Sequence, residues 1–458
     1  MQQQPKNFDV IIVGAGVTGS ALFYILAKYT DIKKIALIEK YDRPGQVNSR
    51  VVNNSQTLHF GDIETNYDLA RAKSVKRAAT MVKNYVENLC DEGCEYFKSY
   101  KLVLGIGAKE VAELRQRFDE FRDIFPNLKK LEREDLAELE PKLIEGRDPD
   151  QPVFALHSSE GYAIDYEQLS KNFVTSAMKV PGKDLQVFYG HKVSDCWSEQ
   201  HGKYLISTDQ ASFRADVIEF AAGAYGLHFA KKFGLGRNLI TVNVAGNFYF
   251  IPALVKGKVY RVQVKELPFA AAHADPELYH PDRARVGPTA KIILMMERHN
   301  WSTVWGYLKT LEWSFRTIKT GFTVLFHRII LKFMLYNVIY DLPYFGKRLF
   351  LNKEVKAILP TLEPKDLKFA KGYGGVRPQI LDLEKTKIDM GAAKIFGRNI
   401  IFNITPSPGA TQCLGSAEED AQRIVEFLGK DHHFHSQDFE KDLCVGAPKT
   451  SIRNPAEN

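Results

Sequence analysis

The stretch that most constrains this chain is Asp9 to Gly19, D-V-I-I-V-G-A-G-V-T-G. Val10, Ile11, Ile12 and Val13 form a continuous apolar run, the pattern of a strand buried on both faces of a parallel sheet. Gly14, Gly16 and Gly19 follow with the spacing of a dinucleotide-binding turn. The first permits the tight turn, the second lets backbone approach a pyrophosphate, and the third lets helix and strand pack closely. The helix expected over Ser20–Tyr29 then offers its first N–H groups and its dipole to a phosphate. A second apolar strand, Ile35–Ile38, ends at Glu39. A carboxylate about 20 residues past the glycines is where a ribose hydroxyl pair is held. The expected class is α/β, with a doubly wound nucleotide-binding domain. The turn alone does not separate flavin from nicotinamide.

The chain has 458 residues, too many for one core, so a second domain is expected. Its formal charge of +7 is compatible with an anionic substrate or an anionic membrane surface. No basic-aromatic motif points to nucleic acid. Cys90, Cys94, Cys196, Cys413 and Cys444 are an odd, scattered set. They suggest no disulfide framework, a reducing compartment, and no metal site. The start M-Q-Q-Q-P-K-N runs straight into the first strand, and no signal peptide is read there.

Pro44 to Gly61 is a loop rich in Asn, Ser and Thr, close to the crevice where cofactors lie on such sheets. Asn53, Asn54 and Ser55 are candidate hydrogen-bond donors to phosphates, or ordinary turn residues. Asp68 to Lys130 reads as mostly helical, interrupted by a strand at Leu102–Gly107. Strands follow at Gln186–Phe188, Lys192–Cys196, Tyr204–Ser207 and Phe213–Phe220, the last running into A-A-G-A-Y. Small residues there give a cofactor close access to backbone. Val193 and Gly223 are counted among the cofactor-binding positions. Thr241 to Lys265 alternates like an antiparallel sheet. T-P-S-P-G-A-T, Thr405 to Thr411, leads into a helix over Ala417–Leu428, whose N-terminus is a second anion site.

The nucleotide-binding domain is thus expected to be discontinuous: 1–70, 150–240 and 368–430. Residues 71–149 and 241–367 form a substrate domain with a mixed or antiparallel sheet and helices. Residues 431–458 read as a loosely held tail. Between Trp301 and Phe350, Phe322, Leu325, Phe326, Ile329, Ile330, Phe333 and Met334 recur at helical spacing, widened by Val324, Leu331 and Leu335. Arg316, Lys319, Arg328 and Lys332 are the charges nearby. No apolar run is long enough to span a bilayer. The profile fits an element lying in a membrane interface or a core helix.

Seven strings together resemble the malate:quinone oxidoreductases: the N-terminal turn, N-N-S-Q-T-L-H-F-G-D-I-E-T-N-Y, A-G-N-F-Y-F, L-P-F-A-A-A-H-A-D-P, R-V-G-P-T-A, G-G-V-R-P-Q and T-P-S-P-G-A-T. The likeness runs from about residue 8 to 428 and is nearest to the shorter bacterial form. That family sits among the D-amino-acid-oxidase-like flavoproteins, whose members include L-2-hydroxyglutarate dehydrogenase. The resemblance implies non-covalent FAD and oxidation of (S)-malate to oxaloacetate, with electrons passing to a membrane quinone. It also implies peripheral attachment to the cytoplasmic face of a bacterial inner membrane. The 301–350 region is richer in aromatic and basic residues than the family leads one to expect.

Malate is a dianion with a secondary alcohol. Its oxidation needs a base for the hydroxyl proton, cations on both carboxylates and stabilisation of the reduced cofactor. His273 is the first candidate for the base and His59 the second. Arg377 is the first candidate clamp, because a guanidinium fork binds a carboxylate bidentately. In relatives the arginine of such a segment faces the substrate carboxylate. Arg261 and Arg285 are candidates for the second carboxylate. Pro408, Gly409, Ala410 and Thr411 are expected against the flavin, offering backbone N–H groups, unless Ser407 or Thr411 merely caps the helix. A rival reading is L-2-hydroxyglutarate dehydrogenase or another 2-hydroxy-acid oxidoreductase, one methylene away. A third is a nucleotide-binding protein without redox chemistry, which needs no His273 and Arg377 pair.

Overall fold

The computed structural model describes residues 4–263, 272–311, 319–320, 323, 328–385, 387–389, 393–404 and 408–446. Phe322, Val324, Leu325, Phe326, Arg316 and Ser407 lie outside them, as do 264–271, 405–406 and 447–458 and the side chains of Ile329, Ile330 and Phe333.

The chain begins with β1 (Lys6–Val13), α1 (Val17–Tyr29) and β2 (Lys34–Ile38). A short β3 (Thr57–Leu58) precedes α2 (Leu69–Asn84), the long β4 (Tyr96–Ile106), α3 (Gly107–Phe121) and β5 (Val153–Ile164). Next come α4 (Tyr166–Met178), β6 (Asp184–Phe188) and β7 (Ser212–Phe220). The strands β8 (Leu239–Ala245), β9 (Lys258–Arg261), β10 (His273–Pro276) and β11 (Arg283–Gly287) follow. After α5 (Val304–Thr310) and α6 (Arg328–Tyr340), β12 (Val376–Asp382), β13 (Ile400–Ile404) and α7 (Cys413–Leu428) complete the framework.

Three sheets divide the work. In the first, β6, β2, β1, β7 and β13 run parallel in that order. Val10, Ile11 and Ile12 are fully buried, as a strand covered on both faces must be. The helix α1 is apolar on every side, and Leu22, Phe23, Ile25 and Leu26 are fully buried between the sheet, α4 and α7. A helix of that kind is stable only when enclosed. The second sheet pairs β8 antiparallel with β12, setting Arg377 opposite Val244 and Gln379 opposite Val242. The third runs β11, β10, β9, β4, β5, β3. Here β9 lies parallel to β4, and Tyr260 pairs with His273 across β9 and β10.

Several expectations change. β4 starts at Tyr96, earlier than the strand expected at Leu102, because Tyr96 to Ser99 pair antiparallel with Ile164 to Gly161 of β5 although their side chains are not buried. β5 begins at Val153 and joins the third sheet rather than the nucleotide-binding one. The segment after Gly429, expected to be loosely held, is fixed through residue 446. Phe439 and Leu443 are fully buried beside α1, and the Phe434 backbone bridges Thr30. The aspartate- and histidine-rich composition hid two apolar anchors in a polar stretch. Cys90 and Cys94 form a disulfide, against the expectation of none. The two thiols meet where the chain turns from α2 toward β4.

Candidate active site

Two cavities share one wall. The larger, about 290 Å³, runs from Gly14, Gly16, Val17 and Thr18 past Glu39 to Gly409, Ala410 and Thr411. The turn at its base needs its glycines. Gly14 has φ +107°, and a Cβ there would meet the Ala221 carbonyl oxygen at 2.6 Å. A Cβ on Gly19 would fall 2.0 Å from the Gly14 oxygen, so Gly19 serves helix–strand packing and stays behind the cavity wall. Glu39 accepts from the Ala15 N–H at 2.7 Å and the Tyr41 N–H at 3.0 Å. Burial pushes its carboxyl above the usual range despite those donors. Ser49, which sequence reading did not single out, accepts from Val17 N–H at 2.9 Å and props the helix start. Val193 and Gly223 line the same cavity. A dinucleotide fits this donor set: an open turn at the N-terminus of α1, a carboxylate at the end of β2, and backbone at Ala221–Gly223.

The loop between them behaves differently from expectation. Asn53 and Asn54 line both cavities, but their side-chain amides are spent on the loop itself. Asn53 donates to Val47 O at 2.7 Å, and Asn54 to Asn48 O and Arg50 O at 3.1 and 2.9 Å. They staple the turn, as short amides do. Ser55 lines both cavities, and its carbonyl accepts from Lys258.

The smaller cavity, about 90 Å³, brings together His59, Tyr67, Arg71, Tyr260, Arg261, His273 and Arg377. His59, Gly375, Arg377 and Pro408 line both cavities. His59 Nδ1 lies 2.7 Å from Glu64 Oε1, and its backbone N–H donates to Thr411 Oγ1 at 3.1 Å. Thr411 therefore braces His59 instead of capping α7, which starts at Cys413, four residues before Ala417. Burial alone would raise the Glu64 carboxyl, but Lys101 and His59 hold it down, to about 2. The loop carrying Glu64 is clasped by Arg117 of α3, which donates to the carbonyls of Gly61, Asp62, Glu64 and Tyr67. Asp62 pairs with the fully buried Lys101 at 2.6 Å. Arg377 is positioned by β12, whose first amide, Val376 N–H, donates to Asn48 Oδ1 at 2.9 Å. Burial lowers the Arg377 guanidinium from its ordinary value, and Tyr260 and Tyr67 oppose that.

His273, the expected base, turns Nε2 toward Asp275 Oδ2 at 3.1 Å and is almost fully buried. Arg285 is fully buried, with Nε 3.8 Å from the same carboxylate, and lines neither cavity. Its place opposite Asp275 in the β10–β11 register decides this. Arg261 does line the smaller cavity, but its guanidinium already faces Glu354 at 3.2 Å and Glu110 at 3.8 Å. Against its burial, His273, Lys258 and Arg285 hold Asp275 well below the carboxylate range. Lys258, which the sequence did not single out, donates to Thr57 Oγ1 at 2.7 Å, and burial pushes its amine down to about 8. Glu64, hidden in the F-G-D-I-E-T-N-Y string, Arg71, one of many charges on α2, and Tyr67 and Tyr260 also line the smaller cavity without having been singled out in the sequence.

Comparison with known proteins agrees with this geometry. The family model for FAD dependent oxidoreductase (DAO) matches residues 9–423. The malate:quinone oxidoreductase of Helicobacter pylori strain J99 is 37% identical over 444 residues, 95% of this chain and 98% of that one. The mitochondrial L-2-hydroxyglutarate dehydrogenase of Bos taurus is 24% identical, over 92% of this chain and 89% of its own. Among solved structures, dithionite-reduced L-alpha-glycerophosphate oxidase from Mycoplasma pneumoniae, with FAD bound, shares the fold. Its TM-score is 0.64 at 20% identity, covering 92% of this chain and 95% of that one. With its dinucleotide cavity and these likenesses, the chain belongs to the FAD dependent oxidoreductases and, among them, to the malate:quinone oxidoreductases.

Proposed function

We propose that the chain binds FAD and oxidises (S)-malate to oxaloacetate, with a membrane quinone as final electron acceptor. The reading rests on one observation: His59 and Arg377 line both the dinucleotide cavity and the smaller one beside it. FAD, when bound, supplies the two-electron acceptor. The chain's own residues bind the alcohol, orient it and take its proton.

The base is His59. Glu64 holds its Nδ1–H, which leaves Nε2 to accept the hydroxyl proton, and the same carboxylate stabilises the imidazolium that forms. This reverses the order expected from sequence, where His273 came first. His273 presents its Nε2 to Asp275 and lines only the smaller cavity. Arg377 takes the C1 carboxylate in its fork. Gly409 and Ala410 flank the far wall with Thr411, where backbone amides are suited to negative charge on a reduced cofactor.

Attachment is peripheral, at the cytoplasmic face of a bacterial membrane. Among the described residues no helix is long and apolar enough to cross one. Segment 301–350 carries seven Lys and Arg against Glu312 and Asp341, a balance suited to an anionic surface.

Anaerobic mixing of the yellow holoprotein with a panel of 2-hydroxy acids tests the assignment. (S)-malate should bleach the flavin with the highest rate constant over dissociation constant. L-2-hydroxyglutarate bleaching it faster than malate would transfer the assignment to the rival activity.

A further inference from the structure

We infer that the Glu297 carboxylate latches segment 296–303 across the adenosine end of the FAD cavity and so sets the rate at which the cofactor leaves. This rests on FAD occupying the larger cavity and is independent of which alcohol is oxidised.

The adenosine end is marked by Glu39, the carboxylate placed for the ribose hydroxyls. The His191 N–H donates to the Glu39 carbonyl at 2.9 Å. Val193, Lys40, Tyr225, Met296 and Glu297 line the same cavity. Lys40 and Tyr41 follow the end of β2, and Tyr225 follows β7. Those two strands flank β1, whose glycine turn lies at the base of the cavity. A group that joins the ends of β2 and β7 therefore spans the crevice at the carboxyl edge of the sheet. Glu297 is that group. Its carboxylate pairs with Lys40 and accepts from the Tyr225 hydroxyl at 3.0 Å through one oxygen. Through the other it accepts from the Tyr41 hydroxyl at 2.6 Å and from Asn300 at 3.1 Å. The Lys40 ammonium also sits over the Tyr225 ring, 4.3 Å from its centroid.

The segment that carries Glu297 comes from outside the nucleotide-binding sheet, between β11 and α5. Ile293 N–H ties its start to Asn243 O of β8 at 2.8 Å. Met296 is buried against Ala224 and Tyr307, and its N–H donates to Thr303 Oγ1 at 3.1 Å. His299 lies in the left-handed region, at φ +62°, which is uncommon for a residue with a side chain. Backbone of this kind persists where its surroundings hold it, and it recurs at ligand clamps. Against its burial, Lys40, Tyr41 and Asn300 hold the Glu297 carboxyl below the usual carboxylate range, so the latch carries its charge at neutral pH.

Every latch contact is made within the chain. Such contacts raise the barrier to passage more than they change the equilibrium, since a contact kept in both states favours neither. The test follows FAD appearing in the ultrafiltrate of diluted holoprotein, for the release rate constant, and its final level, for the dissociation constant. Glu297→Ala should speed release by about 100-fold and raise the dissociation constant by less than about tenfold, because an opened mouth admits FAD faster too. Glu297→Gln and Lys40→Met, which remove one charge of the pair, should speed release by about tenfold. Tyr41→Phe and Tyr225→Phe each delete a single oxygen and should speed it by about fivefold, which keeps the inference testable should Glu297→Ala not fold. Release and dissociation constant rising by equal factors would make Glu297 an ordinary cofactor contact and overturn the latch. Unchanged release in these variants overturns it as well. Wild-type protein that takes up no FAD fails the parent reading, before any variant is made.

Discussion

His59 Nδ1 lies 2.7 Å from Glu64, and His273 Nε2 lies 3.1 Å from Asp275. Both imidazoles thus have a carboxylate partner, and the difference lies in what each ring can still reach. The His59 side chain keeps 17% exposure and borders both cavities, whereas His273 keeps 2%. His59→Gln should therefore slow flavin reduction by about 100- to 10,000-fold while FAD stays bound. His273→Gln should slow it far less, and stopped-flow reduction of the two variants decides between them. Glu64→Gln carries a sign. Glu64 is ionised throughout the working range, since Lys101 and His59 hold it near 2. An imidazolium without a facing carboxylate gives up its proton more readily. The acid limb of kcat/KM in Glu64→Gln should then move to lower pH, with a lower plateau. A limb that moves to higher pH would remove Glu64 from this role.

At the scale of elements, β7, β13 and α7 meet over a buried acid pair. Glu219 and Asp420 are both enclosed, with Asn403 donating to Asp420 at 2.9 Å and Lys394 2.8 Å from its other oxygen. Burial first, then the charge of Asp420, drives the Glu219 carboxyl well above its ordinary value of 4.5. The folded chain keeps a proton there that the unfolded chain releases above pH 4.5. Stability is therefore lost as pH climbs from that value through the folded one. Glu219→Gln retains a donor and cannot ionise, so its melting temperature should fall less than the wild type's between pH 5 and pH 8. Calorimetry at the two values checks this, and an unchanged difference would mean the pair does not share a proton. Asn403 also borders the dinucleotide cavity, so its amide joins the pair to that cavity's wall.

Over the whole molecule, the apolar residues left in solvent concentrate after β11. Trp301 and Trp305 are 75% and 73% exposed, and Leu335, Val338, Tyr344 and Phe345 each exceed half. Asn337 accepts from Ala290 N–H at 2.6 Å, and Asp341 pairs with Lys291, which ties α6 to the segment leading to α5. Other residues of the same stretch are core: Tyr307, Tyr340 and Phe350 are buried. Among its described residues the segment is anchored inward, while several of its apolar side chains face solvent. Trp301→Ala combined with Trp305→Ala should weaken sedimentation with vesicles containing anionic lipid, and leave activity with a soluble dye unchanged. Full vesicle binding by the double variant would place lipid contact elsewhere.

Local pattern determined a good deal of this protein. The run Val10–Val13, the spacing of Gly14, Gly16 and Gly19, and Glu39 at the end of the next strand were legible because each is a constraint among near neighbours. Backbone sterics and strand burial act over a few residues, so sequence carries them openly. The long strings around His59, His273 and Arg377 carried the family for the same reason. Only the tertiary structure decided which charges act. Arg285 and Arg261 look as available as Arg377 in one dimension. The β10–β11 register seals Arg285 onto Asp275, and a residue 93 positions away, Glu354, meets Arg261. Glu64 reads as one charge among many until Arg117 holds its loop by the carbonyls of Gly61, Asp62, Glu64 and Tyr67. A charge's role depends on burial and on partners distant in the chain, and composition and spacing hold no record of either.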